Sequence, residues 1–360
     1  MMKKVRIVIG ANLGDEGKGT VVAHYAKHAE GQVLNILTNG GAQRGHSILT
    51  EEYGSVTFHH FGSGTYHGAD SYYSRYFILN PMQFVKEYDE LIVKPGDIYR
   101  DYTCRWSTPY DSLANLITER LQGRYASCGM GIWNTIKRYN SMETMTFDEF
   151  LLLDSPEQYA YLNKVKAYYE KSITIPVDLV DVWNSPILQR HFINDCYFMD
   201  ENTIVADLNT LPHENLIFEN GQGLMLCDTG EDRFDKTPSN TGILYSLELL
   251  KGMKDVDVTA HYVTRPYLTR HGDGHVHKES DRQSLSSGVR EDRTNTFNEF
   301  QGGFRYGTLL IPELVERINA DSRGVKYEIE LTHCDEMDRE KEFKQAFGDK
   351  VNTYDSPIIK

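Results

Sequence analysis

A glycine-rich segment near the start of the chain brings together groups that bind phosphate and groups that move protons. It runs from Gly10 to Thr20 (GANLGDEGKGT), after a β-branched run, VRIVIG, and before a stretch with helical spacing. The backbone N–H groups of such a turn, the positive end of the following helix and the Lys18 cation together suit a phosphate. Asp15 and Glu16 would repel a triphosphate, so they indicate a metal ligand or a base beside the phosphate.

This loop fits neither of two common nucleotide-binding patterns. A Walker A loop needs a glycine where Asn12 stands, and Ser or Thr where Gly19 follows the lysine. Asn12 also replaces the second glycine of the dinucleotide-binding pattern. A plain glycine-rich turn between a strand and a helix therefore stays an alternative at this point.

A second glycine segment follows another strand-like run. It reads NGGAQRGHS from Asn39 to Ser47 and places Arg44 beside backbone donors. His46, near its end, is of a type that donates a hydrogen bond to a γ-phosphate as charge develops there. A single histidine is more often structural, and the residues alone leave both interpretations open.

The elements that must position these loops alternate between strand-like and helical patterns. Strands are predicted at Val5–Gly10, within Val33–Gly41, and at 216–219, 258–264 and 327–332; helices are predicted at 20–28, from Asn80-Pro81 onward, and at 112–122, 146–171, 242–253, 312–319 and 336–346. This alternation predicts an α/β fold with a mainly parallel central sheet flanked by helices. Because no Pro/Gly-rich linker divides the chain, we expect a single domain over 1–360 with long loop excursions, including a polar surface loop at Ser280–Arg293.

The composition narrows the class of protein. In 360 residues, 38 Lys+Arg stand against 52 Asp+Glu, and this net charge of −14 argues against a protein that coats nucleic acid or an anionic membrane. Five scattered cysteines without a CxxC pair argue against a disulfide framework or a zinc site. No stretch approaches the ~20 apolar residues of a membrane span, and the run Val5–Ile9 is too short for a signal peptide. These features predict a cytoplasmic protein.

Seven segments, in order, resemble the adenylosuccinate synthetases. The family patterns GDEGKGK, QGGxNAGHT, TTGRGIG, FEGAQG, SSNTTAG, TRVGAGP and RTG correspond here to GDEGKGT, NGGAQRGHS, SCGMGI, FENGQG, SNTG, TRHGDG and RYG. The resemblance implies an enzyme that transfers the γ-phosphate of a nucleoside triphosphate to O6 of a 6-oxopurine nucleotide. The amine of L-aspartate then displaces that phosphate from C6, so the enzyme is a C–N ligase. It also implies a homodimer.

The resemblance carries roles over to matching residues. Asp15 would remove the N1 proton and bind Mg²⁺, His46 would stabilise the O6 phosphate, and Gln222 would orient the base. The Gly45 carbonyl would be a second Mg²⁺ ligand. The triphosphate would be held by Gly14, Asp15, Glu16, Gly17, Lys18, Gly19, Thr20, Gly45, His46, Ser47, Thr332 and Asp335. The purine nucleotide would be held by Asn39, Gln43, Arg44, Ser127, Cys128, Gly129, Gln222, Asn240, Thr241 and Arg305.

Departures from the family bear on the substrates. The family's TKLD, whose lysine and aspartate suit guanine, is Thr332-His333-Cys334-Asp335 here, so ATP, dATP and GTP are all candidate phosphoryl donors. The arginine-rich aspartate loop keeps only its last arginine, and the substrate aspartate would be held by Thr294, Asn295, Thr296 and Arg305. Gln43 and Arg44 replace Asn and Ala of NAGHT, close to the expected purine.

The length, the lost KLD element and the altered purine loop resemble the short viral 2-aminoadenylosuccinate synthetases. Those relatives act on (d)GMP, which makes dGMP the expected substrate here. The intact Asp15 is equally expected of an enzyme that acts on IMP, which stays the alternative. A nucleotide kinase and a catalytically silent nucleotide-binding protein are more remote alternatives. The histidines of HGDGHVH (His271, His275, His277) match no zinc spacing and are expected in a loop near the nucleotide.

Overall fold

Nine parallel strands form the central sheet of the protein. The computed structural model describes residues 2–123, 127–227, 236–292 and 302–355. The strands in these ranges are β1 (Lys3–Gly10), β2 (Val33–Leu37), β3 (His46–Thr50), β4 (Gly54–Phe58), β5 (Asp70–Tyr73), β6 (Ile78–Leu79), β7 (Ile98–Arg100), β8 (Arg105–Trp106), β9 (Ile204–Val205), β10 (Asn215–Gly223), β11 (Val256–Thr264), β12 (Leu268–Arg270), β13 (Arg305–Gly307), β14 (Tyr327–Leu331) and β15 (Val351–Thr353). The sheet order is β15-β14-β11-β1-β10-β2-β5-β7-β9, with every pair parallel. The α/β prediction with a mainly parallel sheet is confirmed.

Helices pack against the sheet and take part in two buried hydrophobic clusters. They are α1 (Lys18–Lys27), α2 (Pro81–Glu90), α3 (Pro109–Gln122), α4 (Ile132–Ser141), α5 (Phe147–Leu152), α6 (Ser155–Glu170), α7 (Val180–Trp183), α8 (Pro186–Glu201), α9 (Leu244–Leu249), α10 (Arg282–Leu285), α11 (Ile311–Ser322) and α12 (Glu340–Phe347). One large buried cluster joins the sheet to α9, α11 and α12. A second joins side chains of β2 and β5 to α2, α3, α5, α6 and α8.

The strand order brings the candidate loops to one edge. The central strands are buried on both faces, and Ile7, Val8 and Ile9 of β1 are all inaccessible to solvent. In a parallel sheet the carboxyl ends of all strands meet at the same edge, where ligands bind. The glycine loop after β1, the segment after β2 and the residues after β11 and β14 all lie along this edge.

Some predicted elements differ from the structure for identifiable reasons. The predicted helix at 146–171 is wrong as one unit, because two capping boxes begin separate helices: Thr146 with Glu149 starts α5, and Asp154 with Glu157 starts α6. The predicted helix at 242–253 is reduced to α9. The predicted start at Asn80 is confirmed, since its side chain accepts the Gln83 N–H.

The polar surface loop predicted at Ser280–Arg293 holds one short helix, α10, and its last residue lies outside the described residues.

Candidate active site

The glycine loop between β1 and α1 is closed from within by an ion pair. Glu16 Oε1 accepts the backbone N–H groups of Asn12 (3.0 Å) and Gly14 (2.8 Å), and Glu16 Oε2 lies 3.4 Å from Lys18 Nζ. Lys18 in turn donates to the Gly14 carbonyl at 2.5 Å. Both charged side chains are buried. Glu16 and Lys18 therefore stabilise the loop's shape, while Asp15 between them carries the charge that is left for a ligand.

Close packing fixes where the loop meets α1. Gly17 takes φ = 96° directly before the helix, a left-handed conformation that glycine adopts readily. A Cβ on Gly19 would lie 2.7 Å from the Ser47 carbonyl oxygen, so the two glycine segments touch here. Thr332 Oγ1 donates to the Glu16 carbonyl at 2.7 Å. Thr20 Oγ1 is buried with no partner among the described residues.

Asp15 has the electrostatics of a proton acceptor. Burial raises the pKa of its carboxyl, and the adjacent Glu16 raises it further, while His271, Lys18 and Arg265 lower it. Arg265 Nε donates to the Asp15 carbonyl oxygen at 2.7 Å and fixes the backbone there. A carboxylate with a raised pKa is a stronger base at neutral pH.

Gln222 lies directly against this loop. It is the last residue but one of β10 and takes φ = 64°, a conformation uncommon for a residue with a side chain. A Cβ on Gly14 would lie 3.6 Å from Gln222 Oε1, and one on Gly10 would lie 2.7 Å from the Gln222 carbonyl oxygen. Gln222 therefore packs against Gly14, the residue directly before Asp15.

His46 is held by Glu219, a residue that sequence reasoning missed. The His46 Nδ1–Glu219 Oε1 distance is 2.5 Å, and Glu219 also accepts from Ser63 Oγ (2.7 Å) and Ser63 N (3.0 Å). A carboxylate only accepts, so Nδ1 carries the hydrogen and Nε2 is left for a ligand. Glu219 follows the run LIF in the FENGQG segment, a position that could have been tested as the partner of His46.

Arg44 completes a buried charge group with this pair. Its Nη2 lies 3.4 Å from Glu219 Oε1. Burial would raise the pKa of Glu219, but His46, Arg44 and Ser63 together lower it to about 2. Burial, with the Arg44 cation, lowers the pKa of His46 to about 3. At neutral pH the group is thus an anion, a cation and a neutral imidazole.

The predicted purine-binding segments surround these groups. Asn39 ties the second loop to β10 by accepting the Gly221 N–H (2.9 Å), and to the segment before α9 by donating to Ser239 Oγ (2.9 Å). Both amide atoms of Gln43 are buried without a partner among the described residues, as are Nε and Nη1 of Arg44. Unsatisfied buried polar atoms are costly, and ligand atoms are one way to satisfy them.

The 127–129 segment reaches the second loop through the start of α4, because a Cβ on Gly41 would lie 2.7 Å from Ile132 Cδ1. Ser127 Oγ accepts from the Gly129 N–H at 3.2 Å. Burial raises the pKa of the Cys128 thiol to about 11, so it stays protonated. Thr241 Oγ1 donates to the Gly223 carbonyl at 2.9 Å, and Asn240 Oδ1 accepts the Gly242 N–H.

Two predicted ligand-binding side chains are engaged within the chain. Arg305 pairs with Glu279 and donates to the carbonyls of Gly272 (2.8 Å) and Gly274 (2.9 Å). Asp335 pairs with Arg290. Thr294, Asn295 and Thr296, predicted to hold aspartate, lie outside the described residues.

Metal-binding potential outside the glycine loops is confined to one cluster of the described residues. The possible ligand atoms of His261, Glu328 and Glu330 lie within 4.8 Å of one another on β11 and β14. His261 Nδ1 is 2.7 Å from Glu330 Oε1, and the Tyr25 hydroxyl donates to the same oxygen. Glu330 Oε1 is thus satisfied within the cluster, whereas Glu330 Oε2 is buried without a partner among the described residues. Within the ranges that the structure describes, no helix has the length and apolar character needed to cross a bilayer.

Comparison with known proteins agrees with the geometry. A family model described as adenylosuccinate synthetase matches residues 7–345. An adenylosuccinate synthetase of Finegoldia magna is 24% identical over 284 residues, which cover 74% of this chain and 64% of that protein. One of Syntrophotalea carbinolica is 22% identical over 304 residues, 78% of this chain and 68% of that protein. The chain thus spans about two thirds of the length of these curated relatives.

Two solved structures share the fold. Fully ligated adenylosuccinate synthetase from Plasmodium falciparum superposes with a TM-score of 0.69 at 18% identity, over 91% of this chain and 76% of that chain. The succinoaminodeoxyadenylate synthetase of cyanophage S-2L, bound to dGMP and dATP as energy donor, has a TM-score of 0.67 at 12% identity. That match covers 99% of this chain and 93% of the other.

Proposed function

The chain belongs to the adenylosuccinate synthetase family, and from that premise we propose that it is a ligase that joins L-aspartate to C6 of a 6-oxopurine nucleotide, with dGMP as its substrate. One observation carries the proposal. A carboxyl of raised pKa beside Gln222, and a histidine held by a buried glutamate, lie on neighbouring loops at the carboxyl edge of one parallel sheet.

Asp15 is the proposed base. Its carboxylate takes the proton from N1 of the purine, which places negative charge on O6 and makes that oxygen a nucleophile towards the γ-phosphorus. The hydrogen bond from Arg265 to the Asp15 carbonyl keeps the backbone in place during this step. Gln222 holds the base against Asp15.

His46 is proposed to act on the transferred phosphate through Nε2. Its Nδ1–H is committed to Glu219, so Nε2 donates only when the ring is protonated. The negative charge of a bound triphosphate favours the protonated ring, against the burial that lowers the pKa of His46 in the ligand-free protein. Phosphoryl transfer depends mainly on such positioning and charge neutralisation.

The residues present fit Mg²⁺. Burial and the adjacent Glu16 raise the pKa of the Asp15 carboxyl, and a bound Mg²⁺ would favour its ionised form. The Asp15 carboxylate and the Gly45 carbonyl are the oxygen ligands that Mg²⁺ prefers. Bound Mg²⁺ would neutralise charge on the phosphate oxygens.

Two arguments favour dGMP over IMP. The cyanophage synthetase bound to dGMP matches nearly the whole of both chains, and Gln43 presents an unsatisfied amide where the family pattern has asparagine. The intact Asp15 keeps IMP as the second candidate. ATP, dATP and GTP remain the candidate donors, Thr294, Asn295, Thr296 and Arg305 the candidate aspartate ligands, and a homodimer the proposed assembly.

A product assay tests the proposal. The purified protein is mixed with L-aspartate, Mg²⁺, one monophosphate (IMP, dIMP, GMP or dGMP) and one triphosphate (ATP, dATP or GTP), in every combination. Products are separated by chromatography and identified by mass spectrometry. We expect a succinylated product from dGMP together with one phosphate per product. If only IMP gives a product, IMP replaces dGMP as the proposed substrate. Nucleoside diphosphate formed without aspartate indicates a kinase, and tight binding without turnover indicates a silent binding protein.

A further inference from the structure

His271 is a polar side chain of the site that the mechanism above does not use. It follows β12, two residues after Thr269, whose Oγ1 reaches the Asp15 carbonyl at 3.5 Å. Burial raises the pKa of the Asp15 carboxyl, and among the surrounding side chains His271 has the largest effect on that pKa, ahead of Lys18 and Arg265. The imidazole therefore lies close to the proposed base.

Aromatic packing holds the imidazole there. The His271 ring lies 4.8 Å from the Phe304 ring, centroid to centroid, at an interplanar angle of 59°. The Phe304 ring also lies against Arg265, whose guanidinium carbon is 5.5 Å from the centroid of that ring. Since Arg265 is bonded to the Asp15 carbonyl, these contacts connect His271 to the loop that carries the base.

His271 Nε2 is buried and has no hydrogen-bond partner among the described residues. An imidazole nitrogen in that state is costly unless something else supplies its partner. Thr269 and Arg265, its neighbours on the same segment, already bond to the Asp15 backbone. The geometry leaves this nitrogen for a ligand atom.

The sheet order indicates which ligand atom that is. Strands β10 and β11 flank β1 on opposite sides. His46 and Glu219 lie on the β10 side of Asp15, whereas His271 belongs to the segment after β11. If Asp15 faces N1 and His46 faces the phosphate on O6, the other neighbour of N1, which is C2, points towards His271.

We infer that His271 Nε2 accepts a hydrogen bond from the 2-amino group of a guanine-type nucleotide and so selects it over a hypoxanthine nucleotide. This inference rests on the proposed function and names a specificity residue for it. Guanine carries an N–H donor at the 2-position and hypoxanthine a C–H. The family pattern TRVGAGP has valine where this chain has His271, and valine cannot accept that bond.

The test compares dGMP with dIMP in four proteins: the wild type, His271→Val, His271→Asn and the matched control His275→Val, at an exposed histidine in the same loop. We expect His271→Val to lower the ratio of kcat/KM for dGMP to that for dIMP by about 10–100-fold, because one specific hydrogen bond is lost. His271→Asn retains an acceptor and restores part of the ratio. His275→Val leaves the ratio unchanged.

Calorimetric titration of the two nucleotides makes the result independent of turnover. A wild type that prefers dGMP in binding but forms no product contradicts the proposed function and supports the inference if His271→Val removes the preference. A ratio that is the same in the wild type and in folded His271→Val overturns the inference. An equal loss of this ratio in His275→Val also overturns the inference. If His271→Val does not fold, the inference is overturned by a folded His271→Asn that shows no recovered preference for dGMP.

Discussion

Charge balance at single residues decides what the site can do, and Asp15 is the clearest case. It is the one carboxyl of the glycine loop that is not used to close the loop, since Glu16 is bonded to two N–H groups and paired with Lys18. The base and the loop's structural anion are therefore adjacent residues with separate tasks. Replacing one of them should leave the task of the other intact.

Replacing Asp15 by asparagine tests this division. Asp15→Asn keeps the size of the side chain and the Arg265 bond to its carbonyl, but it cannot take a proton. We expect kcat to fall by about 10²–10⁴ while the dissociation constants of dGMP and triphosphate change little, as for the loss of a general base. Asp273→Asn, at an exposed carboxylate, is the control. Near-normal turnover of Asp15→Asn would remove its assigned role.

Glu219 links catalysis to stability at one position. In Glu219→Gln the anion between His46 and Arg44 is lost, so kcat should fall at least about tenfold, as when the carboxylate that orients a catalytic histidine is removed. The unpaired Arg44 cation should cost about 3–5 kcal/mol of unfolding free energy. Urea denaturation measures the second effect and steady-state kinetics the first.

A double variant separates the two effects of Glu219. Arg44→Met combined with Glu219→Gln removes both buried charges and should regain much of the lost stability. It should not regain turnover, because His46 still lacks its anionic partner. Recovery of both properties together would mean that Glu219 acts on stability alone.

At the scale of elements, the pH dependence of the unfolding free energy tests the contact between α2 and the segment after β4. Glu87 of α2 is buried and accepts the N–H groups of His59 (2.8 Å) and His60 (2.6 Å). Burial raises its pKa to about 7, although these backbone donors lower it in part. The folded chain thus keeps a proton that the unfolded chain releases near pH 4.5, so unfolding free energy falls as pH rises from 4.5 to 7.

The variant Glu87→Gln isolates this contribution. The difference in unfolding free energy between wild type and variant should change by about 3 kcal/mol from pH 4 to pH 8, to the disadvantage of the wild type at the higher pH. Chemical denaturation at several pH values measures it. A difference that does not vary with pH would show that Glu87 titrates as an ordinary glutamate.

Elements with strong patterns were predictable from the sequence, and weak ones were not. β1 and β10 were predictable because strands buried on both faces carry apolar, β-branched runs, here within VRIVIG and LIF. β9 was missed because it has two residues, Ile204 and Val205, and both are exposed. α8 was missed although Ser185-Pro186 begins it with the same cap and proline as the Asn80-Pro81 start that was recognised.

The residues of the candidate site could be proposed from the sequence where motifs contain them, but not where contacts between distant segments place them. Asp15, His46 and Gln222 came from three motifs, and the parallel order of β1, β10 and β2 brings their loops to one edge. The contact of Arg265 with the Asp15 carbonyl joins positions 250 residues apart, and nothing local in either segment encodes it. The same holds for the partner of His46, because Glu219 is 173 residues away.

At the scale of the whole molecule, two strands belong to both hydrophobic clusters. Tyr72 of β5 lies in the first cluster and Tyr73 in the second, and Ile36 and Leu37 of β2 divide in the same way. Successive side chains of a strand point to opposite faces, so one strand serves both. Neither cluster can lose its packing without disturbing strands of the other, and a single domain over 1–360 stays our prediction.

Tryptophan fluorescence offers a direct test of that single domain. Trp106, Trp133 and Trp183 are the three tryptophans of the chain, and Trp106 and Trp183 are core residues of the second cluster. Far-UV circular dichroism, in contrast, reports helices and strands around both clusters. We expect the two signals to follow one urea transition at one midpoint, as in cooperative unfolding.

Because a dimer that dissociates on unfolding raises its midpoint with protein concentration, both signals are recorded at two concentrations. A fluorescence transition that precedes the circular dichroism transition at either concentration would mean that the helices around the second cluster unfold as a separate domain, while the sheet edge that carries Asp15 and Gln222 stays folded.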